Sequence, residues 1–163
     1  MKETIILSGK IGFDPEDKTK KHELQGIWKR VAMVHIPGEV CEYYSWFLHK
    51  RYDIRLVKPL RNAHISFISD RASEMLPDSW DGVKTKWDNK WVEVELNLMP
   101  KSDGKTWWFN VVEESREVLQ VIRNELGLGR PYFGMHMSLG YVNERNEEQS
   151  KYILTLIKSG LIT

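Results

Sequence analysis

The sequence predicts an α+β fold of two related, pseudo-symmetric lobes built on antiparallel sheet, with a central cleft between them. Three observations carry this. The order of elements repeats coarsely, as strand, helix, strand, helix and then hairpin, helix, strand, helix. Each half contains a strand bearing His-x-Ser, in Asn62-Ala63-His64-Ile65-Ser66-Phe67 and in Gly134-Met135-His136-Met137-Ser138-Leu139-Gly140. And Val92, Val94, Leu96 and Leu98 alternate with Glu93, Glu95 and Asn97, the period-2 pattern of a strand with one buried and one open face.

Taken in order, Thr4 to Phe13 reads as a strand closed by the turn residues Asp14-Pro15-Glu16-Asp17, and the run Lys18–Lys21 as solvated loop. Trp28 to Ile36 is a second strand, stopped by Pro37-Gly38; His35 on it lacks a His-x-Ser partner pattern and reads as a structural or surface histidine. Val40, Tyr43, Tyr44, Phe47 and Leu48 lie on one helix face, with Glu39 and Glu42 near its start and His49, Lys50 and Arg51 near its end, as the macrodipole favours. A loop through Val57-Lys58-Pro59-Leu60 delivers the chain to the first His-x-Ser strand. Pro77-Asp78-Ser79 then starts a helix whose inner face is Trp80, Val83 and Trp87, a spacing that favours core packing over base stacking.

After the alternating strand, the turn chemistry of Lys101-Ser102-Asp103-Gly104 and the strand Thr106 to Val112 predict a hairpin of the two. Trp107 and Trp108 must face opposite sides of it, one in the core and one toward a cleft or the surface. Ser115 is placed to cap the next helix, with Leu119, Ile122 and Leu126 inward and Gly127 and Gly129 as its stop. The second His-x-Ser strand follows. Asn143 or Asn146 can cap a last helix, with Glu147 and Glu148 in its first turn, Tyr152, Ile153, Leu156 and Ile157 inward, and Gly160 at its end.

Bulk composition limits the function classes. Of 163 residues, 41% are hydrophobic, enough for a substantial core, and the 24 basic and 23 acidic residues leave a formal charge of only +1. That excludes the electrostatic footprint of a protein that grips long DNA, and leaves room for a small charged ligand in a local pocket. The single cysteine, Cys41, rules out an intramolecular disulfide framework, fits a reducing compartment and reads as a core thiol. Met1-Lys2-Glu3-Thr4 lacks the features of a signal peptide, and no run is long enough to span a bilayer. A cytoplasmic protein with no membrane partner is expected; oligomeric state is left open.

The two His-x-Ser strands carry the chemistry. Strand side chains alternate, so His64 and Ser66 share one face with Ala63, Ile65 and Phe67 behind them. His136 and Ser138 share a face with Phe133, Met135, Met137, Leu139 and Tyr141 behind. Gly134 and Gly140 fall on the His136 face by parity, leaving bare ground where backbone can approach a ligand. By the same parity Asn62 and Tyr132 are possible substrate contacts. Side by side, the strands would present two imidazoles near neutral pKa and two hydroxyls: an acid-base pair and a grip for phosphate oxygens.

These residues resemble the two-histidine (2H) phosphoesterases, the 2′-5′ RNA ligase-like superfamily. The likeness is carried by Pro59-Leu60-Arg61-Asn62-Ala63-His64-Ile65-Ser66-Phe67 and by Met135-His136-Met137-Ser138-Leu139-Gly140-Tyr141. It covers about residues 27 to 158 in outline and departs in using serine twice where threonine is common. The resemblance implies a single 2H phosphoesterase-like domain over residues 1–163, with lobes of about 27–90 and 91–158, and 1–25 as an N-terminal addition. It implies a hydrolase, a cyclic phosphodiesterase type of enzyme, with His64 and His136 catalytic and Ser66 and Ser138 binding phosphate. The substrate would be a small nucleotide or short oligoribonucleotide: a 2′,3′-cyclic phosphate, a 2′-5′ linkage or a cyclic oligonucleotide second messenger. A non-catalytic RNA or nucleotide-binding module, and RNA ligation or end repair, are the rival readings.

No cofactor is expected, and no metal, because two histidines on separate strands lack an accompanying carboxylate or thiolate cluster at ligand spacing. The segment Arg116–Val121 followed by Glu125-Leu126-Gly127 is faintly like a Nudix box, but Gln120 and Val121 stand where that motif needs acidic metal ligands.

Overall fold

The structure, a computed structural model, describes residues 3–15, 29–59, 61–143 and 147–161. Lys18–Lys21, Trp28, Leu60 and Asn146, on which sequence expectations fall, lie outside these residues. The strands are β1 (Thr4–Phe13), β2 (Lys29–His35), β3 (His64–Arg71), β4 (Trp91–Asn97), β5 (Lys101–Ser102), β6 (Thr106–Asn110) and β7 (His136–Tyr141). The α-helices among the described residues are α1 (Gly38–Tyr52), α2 (Ser79–Trp87), α3 (Glu113–Glu125) and α4 (Glu147–Lys158).

All seven strands join one sheet in the order β4-β1-β2-β3-β7-β6-β5, each neighbouring pair antiparallel. The sheet curls into a half-barrel, which brings its far regions together. An isolated bridge joins Leu96 to Val111, and the Val112 N–H donates to the Glu95 carbonyl at 2.8 Å. The mixed α+β class and the repeated element order are both present. β1 is paired on both sides, to β2 and to β4, so residues 4–13 lie inside the sheet.

One face of the sheet is the core. Ile65, Phe67, Val94, Leu96, Trp107, Phe109, Met137 and Leu139 meet Leu48, Trp80, Val83, Leu119, Ile122, Ile153 and Leu156 of the helices in one buried cluster. The opposite face carries the histidines.

Four local expectations need correction. The alternating strand β4 lays its ladder on β1, from Thr4↔Asn97 to Lys10↔Trp91, and meets the expected partner strand, Thr106 to Val112, only at its end, through the Leu96–Val111 bridge. The hairpin is instead β5 on β6, closed by Asp103, whose Oδ1 accepts the N–H of Lys105 at 2.9 Å and of Thr106 at 2.7 Å, with Gly104 at φ 93°. A tight turn captures its immediate neighbours, and the longer strand finds a more extensive ladder far away in sequence.

On α1 the inward arc is Cys41 and Leu48, buried, with Tyr44 half-buried between them, while Tyr43 and Phe47 of the expected stripe are exposed. Tyr44 packs edge-on against Phe109, centroids 4.7 Å apart. Ser115 does not cap α3, which starts at Glu113; its Oγ accepts the Glu95 N–H at 2.8 Å and ties β4 to the helix. In α4, Ile153 and Leu156 point inward as expected and Tyr152 does not.

The most buried charge among the described residues is Arg123 on α3, 2% exposed. Its guanidinium grips Asp70 of β3 through two hydrogen bonds, 2.7 and 3.1 Å, and donates to the carbonyls of Phe67 and Gly129, each at 2.8 Å. Fork geometry satisfies both partners. It fixes the far end of β3, six residues from His64.

Candidate functional site

The two His-x-Ser strands are neighbours at the middle of the sheet, β3 against β7, with Ile65 opposite Met137. Carried one residue each way, that antiparallel register sets His64 across from Ser138 and Ser66 across from His136. All four therefore project from the face opposite the core, in a two-fold related arrangement. Ala63, Ile65, Phe67, Met135, Met137 and Leu139 are buried behind them, as expected; Phe133 and Tyr141 are not.

Both imidazoles are held in the same way. His64 Nδ1 lies 2.9 Å from the carbonyl oxygen of Asn62, and His136 Nδ1 lies 2.7 Å from that of Gly134. A carbonyl only accepts, so each Nδ1 carries the proton and each Nε2 is left as the reactive nitrogen. The positioning comes from local backbone: Asn62 sits at φ 55°, turning its carbonyl back toward the ring two residues on.

Surroundings differ on the two sides. Next to His64, β2 places His35 directly opposite, and Arg61 lies close enough to repel a proton from both rings. Burial, the largest cause, pushes the His64 pKa below its ordinary value; the bond to Asn62 opposes this, and Arg61, His35 and His136 add to the lowering. Next to His136, β6 places Asn110 opposite the histidine and Trp108 opposite Ser138. The Trp108 indole stands 6.0 Å from the His136 ring and donates its Nε1–H to Asn110 Oδ1 at 3.1 Å. Trp107 is wholly buried, so the opposed pair divides as expected.

Cys41 reaches the site from behind. Its thiol donates to the Ser138 carbonyl at 3.4 Å, and burial followed by Glu42 raises its pKa to about 11, so it stays a neutral structural thiol.

The second-rank positions come out differently. Parity does not extend to Asn62 or Tyr132, since β3 begins at His64 and β7 at His136. Asn62 contributes its backbone carbonyl. Tyr132 is 94% exposed on the loop before β7, edge-on to Phe133 at 5.0 Å. Gly134 faces open space, whereas Gly140 is covered: a Cβ there would meet the Val57 carbonyl at 2.6 Å, because Val57 bridges to Tyr141.

Sequence reasoning did not place His35 or Arg61 beside the two histidines, and left Trp108 facing either a cleft or the surface. Arg61 stood inside the motif stretch, one residue before Asn62, and was the available signal; the other two are brought in only by strand pairing. Among the described residues no group of three or more His, Cys, Asp or Glu side chains is arranged to hold a metal, and no helix is long and apolar enough to cross a membrane. Comparison with family models, curated proteins and solved structures yields no match.

Proposed function

We propose that this chain is a metal-independent phosphodiesterase of the two-histidine type, hydrolysing a small ribonucleotide phosphodiester in the cleft between two pseudo-symmetric lobes that meet at β3 and β7. The observation that supports it most is the mirrored lock: two imidazoles on adjacent strands, each giving Nδ1–H to the carbonyl two residues upstream. Structural histidines have no need of matching tautomers on one open face. A general base and a general acid do.

In hydrolysis of a 2′,3′-cyclic phosphate, the neutral Nε2 of His64 takes a proton from water as the water oxygen bonds to phosphorus. The bond from phosphorus to one ribose oxygen breaks, and that oxygen takes the Nε2 proton of the His136 imidazolium. One water is consumed, and a phosphate monoester and a ribose hydroxyl form; proton exchange with solvent resets the pair. For an internucleotide bond, His64 would instead deprotonate the ribose hydroxyl next to the diester, the 2′-hydroxyl of a 3′-5′ bond or the 3′-hydroxyl of a 2′-5′ bond.

His64 takes the base role because its burial and cationic neighbours favour the neutral ring. Ser66 and Ser138 donate to the non-bridging oxygens, bonds that strengthen as charge develops there.

The test is turnover in chelator, with a screen of 2′,3′-cyclic phosphates, 2′-5′ oligoadenylates and cyclic di- and trinucleotides, products identified by mass. The wild type should turn over at least one class at full rate in chelator. The His64→Ala, His136→Ala double variant should bind that substrate and leave it intact. A strict divalent-metal requirement, or unchanged turnover in the double variant, would overturn the mechanism; binding without turnover in the wild type would favour the binding-module reading.

A further inference from the structure

The flank of the reaction centre on the β3 side is a row of basic side chains with no part in either proton transfer. His35 is directly across from His64 on β2, and Lys10 is directly across from His35 on β1. Directly paired residues share a sheet face with Cα atoms about 5 Å apart, so the row leads away from His64 in two strand-width steps. Arg61 stands at its origin, acting on both His64 and His35.

The row is shaped as well as charged. A Cβ on Gly12 would lie 2.6 Å from His35 Nε2 and 2.9 Å from its Cδ2. The missing side chain at position 12 gives the imidazole its bed, laid over the backbone of β1 on the open face. The opposite flank, beyond His136, holds Trp108 and Asn110 instead of cations. The carboxylate that acts on His35 is Asp88, whose Oδ1 already accepts the Phe13 N–H at 3.0 Å and whose Oδ2 accepts from the Asn89 amide at 3.1 Å.

We propose that His35 and Lys10, with Arg61, form a second phosphate subsite beside the reaction centre, so that the substrate carries at least one phosphate group besides the one attacked. This rests on the phosphodiesterase reading and narrows it. A mononucleoside 2′,3′-cyclic phosphate fills only the first site. An oligonucleotide, linear or cyclic, or a nucleotide bearing a terminal phosphate, fills both. The Lys10 and Arg61 charges, with the neutral imidazole of His35 between them as a hydrogen-bond donor, suit a second phosphate, and the indole on the other flank suits a base face.

Calorimetric binding separates this from catalysis. The probes are adenosine 5′-monophosphate, adenosine 3′,5′-bisphosphate and a dinucleoside monophosphate carrying a 5′-phosphate, against wild type, His35→Gln and Lys10→Gln. Lys10 is exposed on β1, so its variant keeps the test open if loss of His35 disturbs the sheet. Wild type should bind the two-phosphate probes at least about tenfold more tightly than the monophosphate, an advantage that shrinks with added salt. Each variant should lose most of that advantage and change monophosphate binding less than about twofold. Preference for the bisphosphate over the dinucleotide identifies a terminal phosphate, and the reverse an internal diester. Equal binding of all probes by wild type, or variants that weaken all of them alike, would overturn the subsite. Turnover without the two-phosphate preference removes the subsite and leaves the enzyme; the preference without any turnover removes the enzyme and leaves the subsite.

Discussion

The β3 and β7 arms of the site share one scaffold and differ in what surrounds it. Both carry His-x-Ser over an apolar backing, and both fix the imidazole by a carbonyl two residues upstream. The β3 arm is laddered along its length to β2, clamped by the buried Arg123–Asp70 pair and edged by His35 and the Arg61 guanidinium. The β7 arm follows the loop of exposed Tyr132 and Phe133, leaves β3 to bridge Val57, and is edged by an indole and an amide. Backbone sets tautomer and direction, the same on both sides. Neighbouring strands set charge, which differs, and in the proposed mechanism that difference makes His64 the base and His136 the acid.

The widest separation of the arms comes from a substrate with a good leaving group. On a ribonucleotide substrate, His64→Ala and His136→Ala should each cost about 10²–10⁴ in turnover. On a p-nitrophenyl phosphodiester, which leaves without protonation, His136→Ala should recover most of the wild-type rate and His64→Ala should not. Equal recovery would erase the assignment of roles.

The clamp differs between the arms in the same sense. Arg123→Met leaves the Asp70 carboxylate without its partner, and breaking such a pair costs about 3–5 kcal/mol. Denaturant unfolding should show it, and hydrogen exchange should place the extra opening in β3 ahead of β7. A loss spread evenly over both strands would mean that the clamp serves the whole sheet.

A smaller effect concerns the acid limb of the rate profile. With His64 as base, that limb lies below the ordinary imidazole pKa of about 6.5. Removing the Arg61 charge in Arg61→Gln should move it upward, part of the way only, since burial is the larger cause. Trp108→Ala, on the other flank, should leave the limb in place and raise KM.

The smallest effect is on stability. His64 and His35 both have lowered pKa values in the fold, so below about pH 6.5 the unfolded chain binds protons that the folded chain does not. Their contribution is complete above that pH and erodes as pH falls through and below it toward the folded values. Thermal unfolding of His64→Gln should show a shallower loss over that window than wild type; an identical slope would remove His64 from the account.

Much of the site was legible because its periods are short. Alternation around His64 and His136 reported which side chains share a face, and Ala63, Ile65, Phe67, Met135, Met137 and Leu139 are buried accordingly. Parity holds one residue before each strand, at Ala63 and Met135, and is lost further out, where the placements of Asn62, Tyr132 and Phe133 failed; Tyr141, the last residue of β7, is exposed as well. Helical spacing found α1 but not the rotation that exposes Tyr43 and Phe47, since aromatic residues are numerous on that helix and only contact with the sheet chooses among them.

The chain by itself determined the alternation of its strands, the stop of α3 at Gly127, the Trp107 and Trp108 division, and the two motifs with matched parity. Each depends on interactions within a few residues, through backbone geometry and side-chain period. Tertiary structure alone decided that β4 lays its main ladder on β1, that Arg123 closes on Asp70, and that His35, Lys10 and Trp108 flank the histidines. Those outcomes hang on which distant strands pair. Pairing is chosen by the summed burial and hydrogen bonding of whole ladders, a quantity no short stretch of sequence contains.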